Sequence, residues 1–337
     1  MLHGILAEHL CRPRTEGTQK MNILVIGGTK YFGIQTVNKL LSEGHEVTVA
    51  TRGKTSDKYG QRVRHIYLER TSEDSVKEAL KGKHFDVVID KIAYCSNDIR
   101  SVMEHVDCDK YIYMSTTAVY APKKLDTKEN DFDGFSNDFV WCDRAAFPYE
   151  QIKRQAEYAL WQKYSEKNWI AVRYPFVLGK DDYTNRLKFY IEHVIKSIPM
   201  NVDNINCQMS FIRSDEAGHF IACLIDKDIH GAINGSSDGT ISIKEIIECV
   251  EKKTGATAKI SEDGENAPYN GTPEYSINTE KAKKTGFTFS SLSDWIYDLI
   301  DYYIQIVEKE SESSRPFHEF LFHNRKKPRS ESGGPQI

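Results

Sequence analysis

Residues 21–33 of the chain, MNILVIGGTKYFG, join a short apolar run to a glycine-rich turn. The run predicts a strand, and the spacing of Ile34, Val37 and Leu40 predicts a helix after the turn. A second apolar strand follows at 45–50, which completes a βαβ unit of about 30 residues. In such a unit the glycines let backbone N–H groups approach a pyrophosphate at the positive end of the helix. The stretch therefore predicts a dinucleotide site made of Gly27, Gly28, Thr29, Lys30, Tyr31, Phe32 and Gly33.

Strand-like and helix-like segments alternate along much of the chain. Seven strands are predicted, at 23–26, 46–50, 63–67, 85–90, 110–115, 169–173 and 231–234. This alternation predicts an α/β fold, a Rossmann doubly wound parallel sheet of about seven strands with helices on both faces. The alternation weakens beyond residue 180, which predicts a smaller C-terminal substrate lobe. We assign 21–180 and 211–235 to the dinucleotide-binding domain, and 181–210 and 236–307 to the lobe.

Both ends of the chain differ in composition from the rest. Residues 1–20 contain no sustained apolar run, so we expect a disordered extension rather than a targeting peptide. Residues 311–337 form a polar tail whose basic run at 325–329 is expected to be solvated. Residues 123–147 form a loop between a strand end and a long helix. Its length suits an active-site flap and a plain solvated excursion equally well.

The composition excludes several classes of protein. The 337 residues include 45 basic and 49 acidic ones, and the net charge of −4 gives no global attraction to nucleic acid or an anionic membrane. No apolar run approaches the roughly 20 residues of a membrane span. The seven cysteines include no Cys-x-x-Cys pair, so neither disulfides nor a zinc site is expected, and no other metal site is predicted. These features fit a cytoplasmic protein with a small-molecule substrate.

Tyr149 and Lys153 lie one turn apart in a predicted helix. An ammonium beside a phenol stabilises the phenolate and lowers the pKa of the tyrosine, so the hydroxyl can exchange a proton with an alcohol or carbonyl. The spacing alone is common by chance on exposed helices. Upstream, however, the fifth predicted strand ends at Ser115 and is followed by Thr116, where a parallel sheet presents polar groups to a ligand.

The glycine turn, the hydroxyl residues at the strand end and the Tyr-x-x-x-Lys motif follow one another in an order that resembles the extended short-chain dehydrogenase/reductase family. This family includes sugar-nucleotide epimerases, dehydratases and related reductases. The resemblance covers roughly residues 21–307 and implies an NAD(P)-dependent oxidoreductase or epimerase. It implies that Thr116 hydrogen-bonds the substrate oxygen, that Tyr149 is the general acid/base, and that Lys153 holds the nicotinamide ribose while tuning the tyrosine. It also implies a homodimer formed through the helix that bears Tyr149 and the helix before it.

Two residues bear on the choice of cofactor. Lys30 stands where a Gly-x-x-Gly-x-x-Gly turn would have its second glycine, and its side chain either reaches a phosphate or points into solvent. Arg52 follows the second strand, where an acidic residue would hold a ribose 2′-hydroxyl and an arginine accommodates a 2′-phosphate. Together they favour NADP(H) over NAD(H). The remaining cofactor contacts implied by the resemblance are those of Glu69, Ala93, Tyr94, Ser115, Tyr174 and Pro175.

The substrate class is less defined. Family members that bind nucleotide sugars often have an asparagine where this chain has Phe176 and an arginine near the position of Gln208. These two residues weaken the case for a UDP-sugar. Sugar dehydration is not expected, because Asp-Glu does not follow Thr116. A small sugar-like or polyketide-like substrate is expected. The cations that either anchor an anion or simply solvate the surface are Arg186, Lys188 and Arg213.

The Gly-Gly-Thr-x-x-x-Gly turn is most similar to an atypical branch of the family, with poorly characterised bacterial reductase/epimerase-like proteins and plastid stem-loop RNA-binding relatives. Two alternatives to an oxidoreductase therefore stay open. One is a non-catalytic protein that keeps the dinucleotide site as a sensor or scaffold or binds RNA, although the net charge makes nucleic acid an unexpected partner. The other is a non-redox Rossmann enzyme such as a methyltransferase, which does not explain Thr116, Tyr149 and Lys153.

Overall fold

The computed structural model describes residues 19–313. The strands are, in chain order, β1 (Asn22–Ile26), β2 (Glu46–Thr51), β3 (Arg64–Tyr67), β4 (His84–Asp90), β5 (Asp107–Thr116), β6 (Trp169–Tyr174), β7 (Phe176–Leu178), β8 (Met200–Asn201), β9 (Phe211–Arg213), β10 (Gly231–Asn234) and β11 (Glu265–Asn266). The α-helices are α1 (Phe32–Ser42), α2 (Glu73–Leu80), α3 (Ser96–Met103), α4 (Tyr149–Lys163), α5 (Arg186–Ile195), α6 (Ser214–Cys223), α7 (Ile243–Thr254), α8 (Glu280–Lys283) and α9 (Ile296–Ser313). All seven predicted strands are present, with small differences at their ends.

Seven strands form one parallel sheet in the order β10-β6-β5-β4-β1-β2-β3. The direction in which strands are added reverses between β1 and β4, and ligands of open α/β sheets bind at the carboxyl ends beside this point. Strand β6 is buried along its whole length, as its continuous apolar run predicts. The structure confirms the predicted Rossmann fold.

Helices cover both faces of this sheet. Alternate residues of β1 enter different cores, because successive side chains of a strand point to opposite faces. Ile23 and Val25 join a cluster with residues of α1 and α6, whereas Leu24 and Ile26 join a cluster with residues of α3 and α4. Each fully buried aliphatic side chain of this kind contributes on the order of 1.5–3 kcal/mol. The sheet is thus fixed from both sides, and its carboxyl edge remains available for a site.

The C-terminal part of the chain has a hydrophobic core of its own. Helices α5, α7 and α9 pack together there, and the buried side chains include Tyr190, Tyr269 and Trp295. The two-stranded sheet of β7 and β9 contributes to both cores, since Val177 packs towards the large sheet and Phe211 packs into the C-terminal core. The domain boundaries given above stay a prediction.

The structure describes only the inner ends of the two predicted extensions. Helix α9 continues to Ser313, so residues 311–313, expected to begin a polar tail, are helical instead. The predictions for residues 1–18 and 314–337 lie outside the described residues. Over residues 19–313, no helix combines the length and the apolar character needed to cross a membrane.

A buried ion pair fixes α4 to the sheet. Arg173 on β6 donates from Nε and Nη2 to both carboxylate oxygens of Glu157 on α4, and neither side chain is exposed. The Ser115 hydroxyl donates to the same carboxylate over 2.5 Å, and Arg173 Nη1 donates to the Tyr120 hydroxyl over 2.9 Å. Tyr120 in turn donates to Asn234 Oδ1 over 2.6 Å. The network therefore connects α4 to β5, β6 and β10.

Replacing Glu157 by glutamine should leave Arg173 as an uncompensated buried charge. We expect the free energy of unfolding to fall by about 3–5 kcal/mol. The matched control is Glu192→Gln, because Glu192 makes a partly exposed pair with Lys196 one turn along α5. That change should cost no more than about 0.5 kcal/mol. Denaturant unfolding of both variants measures the difference, and equal losses would contradict the role given to Glu157.

Candidate active site

The glycine turn between β1 and α1 is a tightly packed bend of the backbone. Gly27 has a φ of +89°, and its N–H donates to Ala50 O over 3.1 Å. A Cβ on Gly33 would lie 2.9 Å from Gly27 O and 2.3 Å from Lys91 Nζ, so position 33 has no room for a side chain. Helix α1 begins at Phe32, and the positive end of its dipole therefore meets the turn.

Tyr31 has a strained backbone conformation within this turn. Its φ of 55° lies in the left-handed region, which a bulky residue rarely adopts. Its hydroxyl donates to Val177 O on β7 over 2.5 Å, and its ring contacts Phe32 and Tyr183. These contacts hold the turn in place and connect it to β7. Lys30, which replaces the second glycine of the family pattern, is exposed.

A cavity of about 480 Å³, which we call the turn cavity, opens beside the glycine turn. The residues predicted to bind the cofactor that line it are Gly27, Thr29, Lys30, Arg52, Glu69 and Tyr94. Arg52 Nη1 lies 3.7 Å from Glu69 Oε2, an exposed pair that contributes little to stability. Lys54 adds a cation that the sequence analysis did not single out. The described lining thus contains several cations and one carboxylate, that of Glu69. Two arginines that also line it are paired with buried acids and are described next.

Two buried carboxylates hold the segment that follows β4. Asp90 Oδ1 accepts hydrogen bonds from the N–H groups of Ile92 and Ala93 at 3.1 and 3.0 Å. Asp98 Oδ2 accepts one from the N–H of Tyr94 at 2.7 Å. Both acids are paired with arginines, Asp90 with Arg70 at 2.7 Å and Asp98 with Arg144 at 2.9 Å. The wall that carries Tyr94 is therefore rigidly positioned.

A second cavity of about 400 Å³, which we call the tyrosine cavity, adjoins the first, and Tyr94 lines both. The predicted site residues that it brings together are Tyr31, Phe32, Tyr94, Ser115, Thr116, Tyr149, Tyr174 and Pro175. Other lining residues were not predicted as site residues, and those with polar side chains are Thr117, Lys123, Tyr183, Thr184 and Tyr275. Among the described residues, Lys123 and Arg186 are the charged ones in its lining.

Tyr149 is the first residue of α4. The residue as a whole is 47% exposed, but its hydroxyl is enclosed beside Thr116. Burial raises the pKa of Tyr149 to about 12, and the hydrogen bond with Thr116 opposes this rise. Lys153 is not among the groups that chiefly set this pKa, and the expected tuning of Tyr149 by Lys153 stays a prediction. The tyrosine is fully protonated at neutral pH.

The Lys153 ammonium is held by three acceptors. Lys153 is buried, and its Nζ donates to Ala93 O, the Tyr113 hydroxyl and Met114 O at 2.9, 3.0 and 2.9 Å. Burial lowers the pKa of Lys153 to about 7. All three donors are occupied, and part of the charge is lost at neutral pH. The lysine therefore supports the cavity wall.

Some predicted residues lie behind the walls of the cavities rather than in their linings: Gly28, Gly33, Ala93 and Lys153. Gly28 is small for a packing reason, because a Cβ there would lie 2.9 Å from Val37 Cγ2. Ser115 does line the tyrosine cavity, but its hydroxyl is engaged by Glu157. Its role is thus more structural than the resemblance implies.

Two lysines beside the cavities were missed by the sequence analysis. Lys91 follows β4 directly, is 5% exposed, and its Nζ lies 3.9 Å from the centroid of the Phe32 ring. Burial lowers the pKa of Lys91 to about 7. A lysine at the end of an apolar strand is the signal that could have identified it. Lys123 lies in an aperiodic loop and leaves no such signal.

Of the three cations that the sequence suggests as anion anchors, Arg186 is the one that lines a cavity. Lys188 and Arg213 line neither cavity and are paired with acidic residues. Gln208 donates to a neighbouring glutamate over 2.7 Å, away from the cavities. Phe176, by contrast, lines the tyrosine cavity. The features expected of a UDP-sugar site are therefore not assembled here.

One group of side chains within residues 19–313, His84, Asp86 and Asp109, could hold a metal ion. It lies at the amino-terminal ends of β4 and β5, on the edge of the sheet opposite to both cavities. Asp86 there accepts a hydrogen bond from the N–H of Asn22. This group is therefore not part of the candidate active site.

The two cavities fit a nicotinamide dinucleotide. The bend at Gly27 and the absence of a side chain at Gly33 bring the start of α1 close to the turn, and the helix dipole favours a pyrophosphate there. The turn cavity supplies cations for phosphate oxygens, and Tyr94 connects it to the cavity that holds Thr116 and Tyr149. The donors and shape match such a group, from its phosphates to its reactive ring.

Comparison with known proteins supports this assignment. Residues 23–102 match the model of the family described as the NAD dependent epimerase/dehydratase family. The matched stretch runs from β1 into α3 and includes the glycine turn, Arg52 and Tyr94. The chain is 25% identical over 208 residues to the chloroplast stem-loop binding protein of 41 kDa b of Arabidopsis thaliana, covering 57% of this chain and 52% of that protein.

A second relative is the 2′-dehydrokanamycin reductase of Streptomyces kanamyceticus, which is 27% identical over 118 residues. That alignment covers 35% of this chain and 33% of the reductase. The chain thus spans about half the length of the first relative and a third of the second. Both alignments leave the activity of the whole protein open.

Solved structures share the fold at low sequence identity. The UDP-glucose 4-epimerase of Thermotoga maritima matches with a TM-score of 0.67 at 16% identity, covering 85% of this chain and 100% of that one. The Thermus thermophilus UDP-glucose 4-epimerase in complex with NAD matches with a TM-score of 0.61 at 17% identity, covering 83% and 98%. The family model thus covers residues 23–102 of the chain, and the solved structures share its fold.

Proposed function

We propose that the protein is an NADP(H)-dependent oxidoreductase or epimerase that acts on a carbonyl or alcohol group of a small, sugar-like substrate. The observation that carries this proposal is that the Thr116 and Tyr149 hydroxyls meet in the tyrosine cavity, which adjoins the turn cavity at Tyr94. A bound nicotinamide dinucleotide would supply or accept the hydride. The chain itself has to place the substrate and move a proton.

Tyr149 is the proposed general acid/base. With a pKa of about 12 it holds its proton at neutral pH and can donate it to a carbonyl oxygen, while the Thr116 hydroxyl holds the same oxygen. The phenolate left behind is stabilised by Thr116 and by the charge of Arg186, which lowers the pKa of Tyr149. In the opposite direction the phenolate takes the proton of the alcohol.

Lys153 is proposed to hold the ribose of the cofactor, as the family resemblance implies. All its donors are engaged by Ala93, Tyr113 and Met114, so one of these hydrogen bonds has to be exchanged for a ribose hydroxyl. The Tyr113 hydroxyl is the one side-chain acceptor of the three. Exchange there would disturb no backbone contact.

The proposed preference for NADP(H) rests on the charges of the turn cavity. Lys30, Arg52 and Lys54 line it, and the nearby carboxylate of Glu69 already pairs with the arginine. An additional phosphate on the ribose would meet this excess of positive charge. The Thermus thermophilus epimerase was solved with NAD, and the preference proposed here rests on the residues of this chain alone.

Location and assembly are also proposals. The described residues contain no disulfide, and Cys95 and Cys142 are buried, which supports a reducing cytoplasm. Helices α3 and α4 pack together and present the surface through which a homodimer is proposed. Sedimentation of the purified protein would show whether it is a dimer.

A second candidate function is RNA binding, and it rests on the similarity to the chloroplast stem-loop binding protein. Against it stands the net charge of −4. The two functions differ in salt dependence, because each phosphate contact contributes a slope of about −0.7 to −0.9 when log affinity is plotted against log salt concentration. Retention of RNA with a slope for several contacts would favour this function, and no retention at low salt would remove it.

The Tyr149→Phe variant removes the proposed acid/base and leaves the ring in place. We expect the turnover of a carbonyl substrate that the wild type reduces with NADPH to fall by about 10²–10⁴. NADPH affinity should stay unchanged, because the ring still lines the cavity. Tyr297→Phe, a change on α9 outside both cavities, is the control. Full turnover by Tyr149→Phe would contradict the proposal that Tyr149 is the general acid/base.

Arg52→Ala tests the choice of cofactor. A charge-assisted hydrogen bond to phosphate contributes about 1.5–3 kcal/mol, so we expect NADPH to bind about 10- to 100-fold more weakly. NADH, which has no 2′-phosphate, should bind as before. The control is Arg64→Ala on β3, whose arginine is exposed and pairs with Glu46. Fluorescence titration of the wild type and both variants with each cofactor gives the six affinities, and an equal loss for both cofactors in Arg52→Ala would argue against a 2′-phosphate site.

Lys91→Met tests the buried lysine beneath the turn. The pKa of Lys91 is about 7 in the folded protein, against an ordinary value of 10.5. Below pH 7 the lysine is charged, so the folded protein carries the full free-energy cost of burying that charge, and this cost shrinks as pH rises. We expect the variant to be more stable than the wild type at pH 7. This advantage should fall by up to about 1.4 kcal/mol per pH unit between pH 7 and 10.

The same variant should bind NADPH about tenfold more weakly, because a cation beside the turn is lost. Denaturant unfolding at several pH values measures the stability, and fluorescence titration measures the affinity. The control is Lys77→Met on the exposed side of α2. Unchanged NADPH affinity together with unchanged stability would show that Lys91 has neither role.

A further inference from the structure

Two cations line the tyrosine cavity without a carboxylate partner among the described residues. Lys123 Nζ lies 4.6 Å from the ring centroid of Tyr275 and 5.8 Å from that of Phe176, and it makes no hydrogen bond within residues 19–313. Arg186 Cζ lies 5.1 Å from the same Phe176 centroid. Its hydrogen bond runs from Nε to the Thr184 hydroxyl over 3.0 Å. Both cations thus flank one aromatic ring and leave donors unused.

The charges of this cavity are one-sided. The described residues of its lining include no Asp or Glu. Asp182 precedes the lining residue Thr184, but its Oδ1 accepts hydrogen bonds from the N–H and hydroxyl of Thr184 and it pairs with neither cation. Burial lowers the pKa of Lys123 to about 8, because an enclosed ammonium lacks compensation there. The aromatic faces offset only part of this cost.

Helix α5 adds a third positive feature. It begins at Arg186, and its first turn contains no acidic residue. Asn185 precedes it and makes no side-chain cap, so the first N–H groups of this ten-residue helix are not satisfied by a capping side chain. Thr184 and Arg186 both line the cavity, which places this helix end at its wall. The positive end of the helix dipole acts in the same direction as the two side chains.

We propose that the substrate carries an anionic group, a carboxylate or a phosphate, bound by Lys123, Arg186 and the start of α5 while its carbonyl or alcohol lies at Thr116 and Tyr149. The proposal depends on the function proposed above only for the identity of the reacting group, the carbonyl or alcohol. The anion forms charge-assisted hydrogen bonds with donors that are otherwise unused. A substrate that carries amines meets two like charges and is disfavoured. Lys123 and Arg186 thereby select the substrate and orient it.

The test uses pyridoxal 5′-phosphate, an aldehyde that carries a phosphate, on the full chain with saturating NADPH. The aldehyde condenses with the lysine amine with loss of water, and borohydride then reduces the imine to a stable secondary amine. Peptide mass mapping identifies the labelled lysine. We expect Lys123 to react about tenfold faster than Lys124, which is exposed and pairs with Asp131. Pyridoxal, which lacks the phosphate, should show no such preference.

Arg186→Met should lower the labelling of Lys123 by pyridoxal 5′-phosphate about tenfold, because half of the anion site is lost. Lys188→Met is the matched control on the same helix, and its lysine pairs with Glu310 instead. Glucuronate and glucose 6-phosphate are added as protecting ligands against neutral glucose. Stronger protection by the first indicates a carboxylate, and stronger protection by the second a phosphate.

Equal labelling of Lys123 by pyridoxal and its phosphate would overturn the proposal, and so would equal effects of Arg186→Met and Lys188→Met. The cofactor arm separates this outcome from a failure of the proposed function. If NADPH does not bind the wild type, the oxidoreductase assignment fails, whereas the comparison of the two aldehydes still decides the anion site. If NADPH binds and the preference is absent, only the anionic substrate is excluded.

Discussion

The ion pair between Glu157 and Arg173 holds helix α4 against the sheet, and the placement of the candidate site depends on it. A buried pair is stable only when its remaining donors and acceptors are satisfied, and Ser115 and Tyr120 supply that satisfaction here. Ser115 directly precedes Thr116, so the same network fixes the end of β5. The distance between the hydroxyls of Thr116 and Tyr149 is therefore set by charges that line neither cavity.

The fold could be predicted because each of its central strands is an apolar run that helices cover on both faces. The glycine turn could be predicted equally well, since no other residue fits the positions of Gly27 and Gly33 at a tight bend beside a helix. The meeting of Thr116 and Tyr149 followed from the order of motifs. The direction of the Tyr149 pKa did not, because it depends on burial, and neither did the acceptors that engage Lys153. Those acceptors lie on β5 and after β4, far from the lysine in sequence.

Charges inside the molecule were the hardest features to predict. Periodicity identifies apolar faces, and it gives no sign that Lys123 is enclosed, whereas Lys91 is marked only by its place directly after an apolar strand. The loop at 123–147 shows the same limit, because its length allowed either a flap or a solvated excursion. In the structure the N–H of Thr127 donates to Ser276 O, and Gly134 packs so closely on Trp161 that a Cβ would lie 2.0 Å from the indole. Packing of this loop against α4 and the C-terminal part carries Lys123 to the cavity.

The bond from the Tyr31 hydroxyl to Val177 has a consequence for the order and strength of ligand binding. It connects the turn that would hold one ligand to a strand that lines the cavity for the other. A displacement of the turn away from β7 has to break this bond and release the strained backbone at Tyr31. A ligand that favours the connected arrangement therefore raises the affinity for its neighbour, and thermodynamic reciprocity requires the same factor in both directions. Two ligands that both favour the connected arrangement would therefore bind cooperatively.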